Sequence, residues 1–308
     1  MAEDKNQINN PHDTGFKHLL KSKKAFIQLL RSFIKGGWAN QVDEVDLILL
    51  DKTFILQDFQ NKEADIVYQA KIKDRDVIFY VLLEHQSTVD FQMPYRLLLY
   101  MTEIWRDIMK NTEASIAEGK DFCLPAIVPI VLYNGENKWT VPLNFKKYLN
   151  GYELFGDNVL DFRYSLVNVH EYDENELLEL ENLLGTVFLL DQCKNFLEII
   201  KYLKKLTKII SKLNKNEFRL FVAWAKNILT RTLSSKQKEK VVQILDKANP
   251  EEVEEMISNV ERVLKKSHED AKKESRKEIA KNMLKKGYKT EEIIEITNLS
   301  KEEIEELK

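Results

Sequence analysis

From His12 to Ile34 the apolar positions Phe16, Leu19, Leu20, Phe26, Ile27, Leu30 and Phe33 recur at helical rather than alternating spacing. This predicts one amphipathic helix or two in succession, ended by Gly36-Gly37. After a polar connection come three short segments rich in β-branched and aromatic residues, Lys52 to Gln57, Ala64 to Ile72 and Val77 to Gln86, which read as strands. The turn Lys73-Asp74-Arg75-Asp76 between the last two is short and polar, as an antiparallel hairpin requires. The third segment, VIFYVLLEHQ, is apolar almost to its end, the pattern of a strand covered on both faces in the middle of a sheet. A long helical pattern follows from Met93 to Ile116 with Pro94 in its first turn. AIVPIVLYNG reads as a further buried strand closed by an Asn-Gly turn, and RYSLVNVH, residues 163–170, is the last strand.

From Asp173 onward the pattern is wholly helical, with helices expected from Asp173 through Leu190, Phe196 to Leu213, Phe218 to Leu233 and Lys236 to Ala248. Residues 261–282 carry charges of both signs and read as a solvated helical connector, with a nucleic-acid contact as the sharper alternative. The end predicts two short helices capped by Thr290 and Ser300 ahead of glutamates, a small helix-turn-helix-like tail. Its apolar residues Ile293, Ile294, Ile296, Leu299 and Ile304 could serve a dimer or DNA contact, although the acidic KEEIEELK opposes phosphate binding. The expected class is α/β: a mixed sheet with flanking helices over 1–170, a helical extension over 171–260, and a charged connector with its tail over 261–308.

Composition adds little to that picture except in three places. Nine glycines and six prolines in 308 residues disfavour a loop-rich or all-β chain. Cys123 and Cys193 lack paired spacing and read as buried thiols of a reducing compartment; with a polar N-terminus and no run of roughly 18 apolar residues, the expectation is a cytoplasmic protein without a membrane span. The net charge of −3 conceals two opposed blocks. Residues 171–200 hold eight acids against Lys194, while residues 201–250 hold 13 Lys/Arg against 3 Asp/Glu. The basic block either contacts phosphates or docks on the acidic segment before it.

Candidate chemistry lies at the hairpin. Asp65 stands near the start of one strand, and Glu84 and Gln86 at the end of its antiparallel neighbour. Side chains alternate along a strand, so Glu84 and Gln86 share a face and His85 points away. Either acid by itself is an ordinary surface residue. Together, at the end of an interior strand, they repel one another, and a bound cation relieves that cost. Oxygen ligands with open water positions suit Mg²⁺, with Mn²⁺ as an alternative, and phosphodiester cleavage is the reaction that follows. Trp105, Trp139 and Trp224 read as core or partly buried anchors, and His170 as structural. Arg96 and Tyr100, four apart on the helix after the strand, are placed to line a cleft.

The phrases HDTGFK (12–17), ADIVYQAK (64–71), LLEHQS (82–87), VDFQMPYRLLLYM (89–101) and PIVLYNG (129–135) occur in order over roughly residues 10–170. On them the chain resembles the bacterial recombination-promoting nuclease family, often labelled "putative transposase". The resemblance implies a restriction-endonuclease-like core of the PD-(D/E)XK type with its acidic pair on Asp65 and Glu84. Gln86 stands where many related nucleases have lysine; an amide orients by hydrogen bonding but supplies no charge. The resemblance further implies that Asp65, Glu84 and the main-chain carbonyl of His85 hold Mg²⁺ and that Gln86 positions the attacking water. Asp13 becomes an accessory ligand or a helix cap, and Lys17 a phosphate contact or a solvated lysine; Arg96, from its place on the helix after the strand, is a further candidate phosphate contact.

The function expected is a Mg-dependent DNA endonuclease acting in recombination or in defence against foreign DNA. A homodimer would suit it, since two-fold related sites address both strands. Strand transfer by three widely separated acids fits the hairpin less well. The alternative from another class is a catalytically silent DNA-binding or regulatory protein of a mobile element, for which Gln86 is the argument and the Asp65/Glu84 pair the counter-argument.

Overall fold

In the computed structural model the described backbone comprises residues 11–50, 66–84, 89–230 and 233–307, with side chains from residue 15 onward. The expected strand from Lys52 to Gln57 lies outside it. Two compact units are present, residues 1–228 and 229–308.

The first unit is built on a five-stranded mixed sheet in the order β1 (Ile48–Leu49), β2 (Ile66–Ile72), β3 (Arg75–Glu84), β4 (Ala126–Tyr133), β5 (Ser165–Asn168). β1, β2 and β3 pair antiparallel, and β3, β4 and β5 pair parallel. The hairpin is tighter than its sequence implies: Ile72 faces Arg75, and Lys73 and Asp74 both take positive φ, 50° and 61°. That is the pair of left-handed residues a two-residue hairpin turn needs to match the strand twist. β3 is buried from Ile78 to Glu84, as its continuous apolar run predicts. The dipeptide β1 escapes sequence detection because both its residues are exposed and no alternation marks it.

Helices cover both faces. The N-terminal pattern resolves into two helices, α1 (Pro11–Leu20) and α2 (Lys23–Phe33). Phe26 stacks on Tyr68 at 4.4 Å and contacts Phe79 at 5.7 Å. The Tyr68 hydroxyl donates toward the carbonyls of Leu20 and Lys21, which occupies acceptors freed where α1 ends. On the other face lies α3 (Met93–Asn111), whose Met93, Leu97, Tyr100 and Ile104 join Val67, Ile78, Tyr80, Leu82, Val131 and Tyr133 in one core. The helix ends at Asn111, short of the expected Ile116, and a single turn, α4 (Ala114–Ala117), follows.

Beyond β5 the helices are α5 (Glu174–Glu179), α6 (Leu183–Asp191), α7 (Phe196–Lys212) and α8 (Lys215–Leu229). The single helix expected from Asp173 through Leu190 is broken: Glu181 takes φ 43°, and the Asn182 side chain accepts from the Gly185 N–H to cap α6. α6 is buried along its whole length. Its N-terminus is tied to α2 by Asn182 Nδ2 donating to Ser32 Oγ at 3.1 Å. Glu217 of α8 accepts from Gln28 of α2 at 2.8 Å and pairs with Lys24 at 3.1 Å. The acidic and basic blocks meet, since Glu174 pairs with Lys205 and accepts from Tyr202, and Glu181 pairs with Lys212 at 3.5 Å. Docking on the acidic segment therefore accounts for part of the basic stripe on α7.

The second unit holds α9 (Ser235–Lys247), α10 (Val253–Lys285), α11 (Thr290–Thr297) and α12 (Lys301–Glu305). The charged stretch 261–282 is part of one continuous 33-residue helix, supported by Glu261–Lys265 and Glu274–Lys277 pairs. The tail folds on the end of α10 around Ala280, Met283, Ile293, Leu299 and Ile304, so three of the five apolar residues offered for a partner form its own core, while Ile296 remains 61% exposed. Ser300 caps α12 reciprocally with Glu303 as expected; the cap of α11 falls on Lys289, not Thr290, with Glu292 accepting the Lys289 N–H. Among the described residues no helix is long and apolar enough to cross a membrane.

The thiol expectation is corrected for one of the two cysteines: Cys123 is exposed and Cys193 half-buried. Burial, with the charges of Glu198 and Asp191 adding to it, pushes the Cys193 thiol up to about 12. A raised pKa depletes the thiolate at neutral pH. Iodoacetamide at pH 8 should therefore modify Cys123 and spare Cys193 in the folded protein, and reach both in denaturant, as peptide mass mapping would show. Equal labelling of the two in the native state would contradict this environment for Cys193.

Candidate functional site

Glu84 is the last residue of β3, the middle strand, and its side chain lies on the α3 face with Ile78, Tyr80 and Leu82. It is 3% exposed. Its register partner on the parallel neighbour is Tyr133, and the Asn134 N–H donates to the Glu84 carbonyl at 3.1 Å. Glu84 thus sits at the carboxyl ends of two parallel strands, where open α/β sheets leave a crevice for ligands. Ile66 stands opposite Val81, so β2 begins beside the end of β3 that carries Glu84.

A buried carboxylate at the end of an apolar strand needs a cation or protons. Here Arg96 supplies the charge: its Nη1 donates to Glu84 Oε2 at 2.8 Å. The same nitrogen donates to Asp90 Oδ2 at 2.5 Å. The helix places Arg96 by its first turn, in which Pro94 fills an early position that needs no N–H donor. Asp90 in turn accepts the Gln92 N–H at 2.8 Å through its other oxygen, and its carbonyl accepts the Met93 N–H. Burial disfavours the charged guanidinium, but the hydrogen bond to Asp90 and the charge and hydrogen bond of Glu84 outweigh it, and the Arg96 pKa rises. Burial and then the Glu84 charge also raise the Tyr133 hydroxyl.

The wall beside Glu84 is aromatic. Tyr133 is fully buried, donates to the Asn137 carbonyl at 2.9 Å and meets Trp139 edge-on at 4.9 Å. Tyr100, expected to line a cleft with Arg96, is instead buried against Tyr80 at 5.1 Å. The three tryptophans are anchors: Trp139 and Trp224 are buried, and Trp105 donates to the Pro125 carbonyl at 2.9 Å. His170 is exposed.

Of the residues expected from sequence, Glu84 is described in full, and Arg96 is brought onto it. Asp65, His85 and Gln86 lie outside the described residues, as does the side chain of Asp13 on α1. Lys17 is half-buried on the same helix. Among the described residues no group of three or more His, Cys, Asp or Glu is arranged to hold a metal, and Glu84 is the described member of the expected ligand set. Asp90 is the addition. Its signal in the sequence is an acid just ahead of a proline-opened helix, which reads as a helix-start residue and gives no hint of its partner.

A family model described as "Putative transposase, YhgA-like" matches residues 10–220, well over half of the chain. The chain belongs to this family. Curated members of related name include the recombination-promoting nuclease RpnD of Escherichia coli O157:H7, 26% identical over 127 residues, or 41% of this chain and 46% of that protein. RpnC of Escherichia coli strain K12, also named a recombination-promoting nuclease, is 26% identical over 126 residues, 41% of this chain and 39% of its own length. The inactive recombination-promoting nuclease-like protein RpnE of strain K12 is 21% identical over 305 residues, 96% of this chain and 97% of its own. The match therefore spans less than half of the two relatives named as nucleases and almost all of the one named inactive. No solved structure matches the chain. The family is thus related to nucleases and recombination.

The family segment PIVLYNG acquires a physical reading at Gly135: a Cβ there would overlap the Tyr133 ring, which the core holds in place. Gly135→Ala should destabilise the first unit by about 1–3 kcal/mol, the cost of overpacking, and lower the urea midpoint. An unchanged midpoint would show that the ring has room to yield.

Proposed function

We propose that this chain is a Mg-dependent DNA endonuclease with a restriction-endonuclease-like, PD-(D/E)XK-type core, in which Asp65, Glu84 and Gln86 are the catalytic residues. The observation that carries the reading is Glu84: a buried carboxylate at the carboxyl end of the middle strand of a mixed sheet, with a charge partner already in place. The hairpin register supports it, because β2, which Asp65 directly precedes in sequence, begins beside that strand end. The donor set fits a hard divalent ion: two carboxylates from Asp65 and Glu84 and the main-chain carbonyl of His85 are all oxygen ligands, with Asp13 as an accessory acid. When bound, such an ion supplies Lewis-acid polarisation of a phosphoryl oxygen and a water of lowered pKa.

The chain's own contributions are orientation and exclusion of bulk water. The apolar walls at Tyr133 and Leu82 lower the local dielectric and strengthen every charge interaction at the strand end. Gln86 would orient the attacking water through its amide, and Lys17 would meet a phosphate of the DNA. A homodimer would present paired sites to the two strands.

A second reading rests on a specific finding: the relative that aligns over almost the whole chain is named inactive. On that reading the protein is a silent DNA-binding or regulatory member of the family. Plasmid nicking separates the two. The wild type should nick supercoiled DNA with Mg²⁺ and not with chelator, and Asp65→Ala or Glu84→Gln should reduce the rate about 100-fold or more, as expected when several kcal/mol of transition-state stabilisation is removed. Absence of cutting by the wild type, or equal cutting by wild type and Asp65→Ala, would favour the silent reading.

A further inference from the structure

The approach to α3 displays two aromatic rings beside the candidate strand end. Arg96 Nη1 meets Glu84 Oε2 at 2.8 Å and Asp90 Oδ2 at 2.5 Å. Phe91 follows Asp90 in the chain and Tyr95 precedes Arg96, so the backbone of each ring lies one residue, about 3.8 Å between Cα atoms, from that cluster. Yet Phe91 is 64% exposed and Tyr95 47%. Among the described residues neither ring meets another ring, and the Tyr95 hydroxyl has no hydrogen-bond partner. The backbone that carries them is braced. Phe91 sits in a turn closed by the Met93 N–H donating to the Asp90 carbonyl at 3.2 Å and by the Gln92 N–H donating to Asp90 Oδ1 at 2.8 Å. Tyr95 stands in the first turn of α3, seated by the buried Met93, Pro94 and Leu97. A phenylalanine held out in water adds little to folding, because its burial would be the stabilising event. Two such rings on a fixed backbone are preorganised for a flat apolar partner, with few rotatable bonds left to freeze.

We propose that Phe91 and Tyr95 are substrate-binding residues of the candidate site, on which unpaired nucleobases of the DNA stack. The inference rests on the nuclease reading above and narrows its substrate class to DNA with unpaired bases, whether single strands or locally opened duplex. Every base has a π-face, so stacking on a side chain is tolerant of sequence. In a closed duplex those faces are covered by neighbouring base pairs, and exposing them costs free energy that an already unpaired base does not pay. Arg96 Nη1 is turned onto the two acids, so what this stretch offers to solvent is chiefly aromatic and grips bases more than phosphates. Such a contact releases no counterions, and its strength should depend little on salt. A contact between two copies of the chain would also cover exposed rings; the position of these two beside the strand end favours the substrate.

The test uses the full chain in the presence of chelator, so that no cleavage proceeds, and reads the fluorescence anisotropy of a labelled oligothymidine and of a blunt duplex of equal length. The wild type should bind the single strand more tightly. Phe91→Ala and Tyr95→Ala should each weaken that binding roughly 10-fold, within the range measured for base–aromatic stacking, and by the same factor at low and at high salt. Phe91→Trp and Tyr95→Phe should restore it. The indole introduced by Phe91→Trp should be quenched as the strand is added, beyond any change in the wild type, a readout that a merely structural role does not move. Melting temperatures should be unchanged in all four variants, because both rings are exposed. Alanine variants that bind oligothymidine as the wild type does, aromatic exchanges that fail to restore binding, or alanine variants with an altered sedimentation coefficient, the mark of a contact between copies, each overturn the stacking role and leave the nuclease reading standing. Ring-dependent binding by a wild type that nicks no plasmid in Mg²⁺ supports the stacking and overturns the nuclease reading alone. A wild type that binds neither DNA overturns both.

Discussion

A carboxylate buried at the end of an apolar strand is the constraint around which the first unit is arranged. Removing a carboxylate from water costs several kcal/mol unless a partner compensates, and Glu84 ends a strand whose preceding six residues are all buried. The compensation comes from the helix that covers this face, through Arg96 in the first turn of α3. The start of α3, with Asp90 and the Gln92 N–H ahead of it, is therefore part of the same electrostatic arrangement as the strand end itself.

This dependence explains what the sequence could and could not disclose. The run VIFYVLL announces an interior strand because only burial on both faces tolerates seven apolar residues in a row, and the short polar turn before it announces a hairpin. Glu84 follows as the point where polarity returns. The Glu84–Arg96–Asp90 cluster is a different kind of fact. Its members are six and twelve residues apart, and no helical or strand periodicity relates them, since the chain leaves a strand and enters a helix in between. Asp90 carries no signal of its own beyond standing just ahead of a helix whose cap is Gln92.

Elsewhere, pattern reading failed where two local signals competed. Between Asp173 and Leu190 the apolar spacing favours one helix, yet Glu181 turns left-handed and Asn182 caps a new one. The break lets α6, apolar on every side, run through the interior while α5 stays at its margin. In the second unit the stretch dense in charge is helical, as expected, and pairs such as Glu261–Lys265 support one uninterrupted helix that begins before it. The compact unit also extends past residue 170 for a physical reason. Ser32, Gln28 and Lys24 on one helix bind Asn182 and Glu217, so the later helices share a half-buried polar seam with α2. The family match, ending at residue 220, follows that unit closely.

The charge sum of the chain is a poor guide to its chemistry because part of the opposed charge is spent locally. Acids of residues 174–181 neutralise lysines of α7, and the pairs are exposed, so each contributes little to stability. The cluster at Glu84 stands apart from these by its burial. There Arg96 Nη1 meets both Glu84 and Asp90 beside an apolar wall, and one donor of the guanidinium goes unanswered. Its position at the carboxyl ends of two parallel strands, where open α/β sheets leave a crevice for ligands, sets it apart from the surface pairs in place as well as in burial.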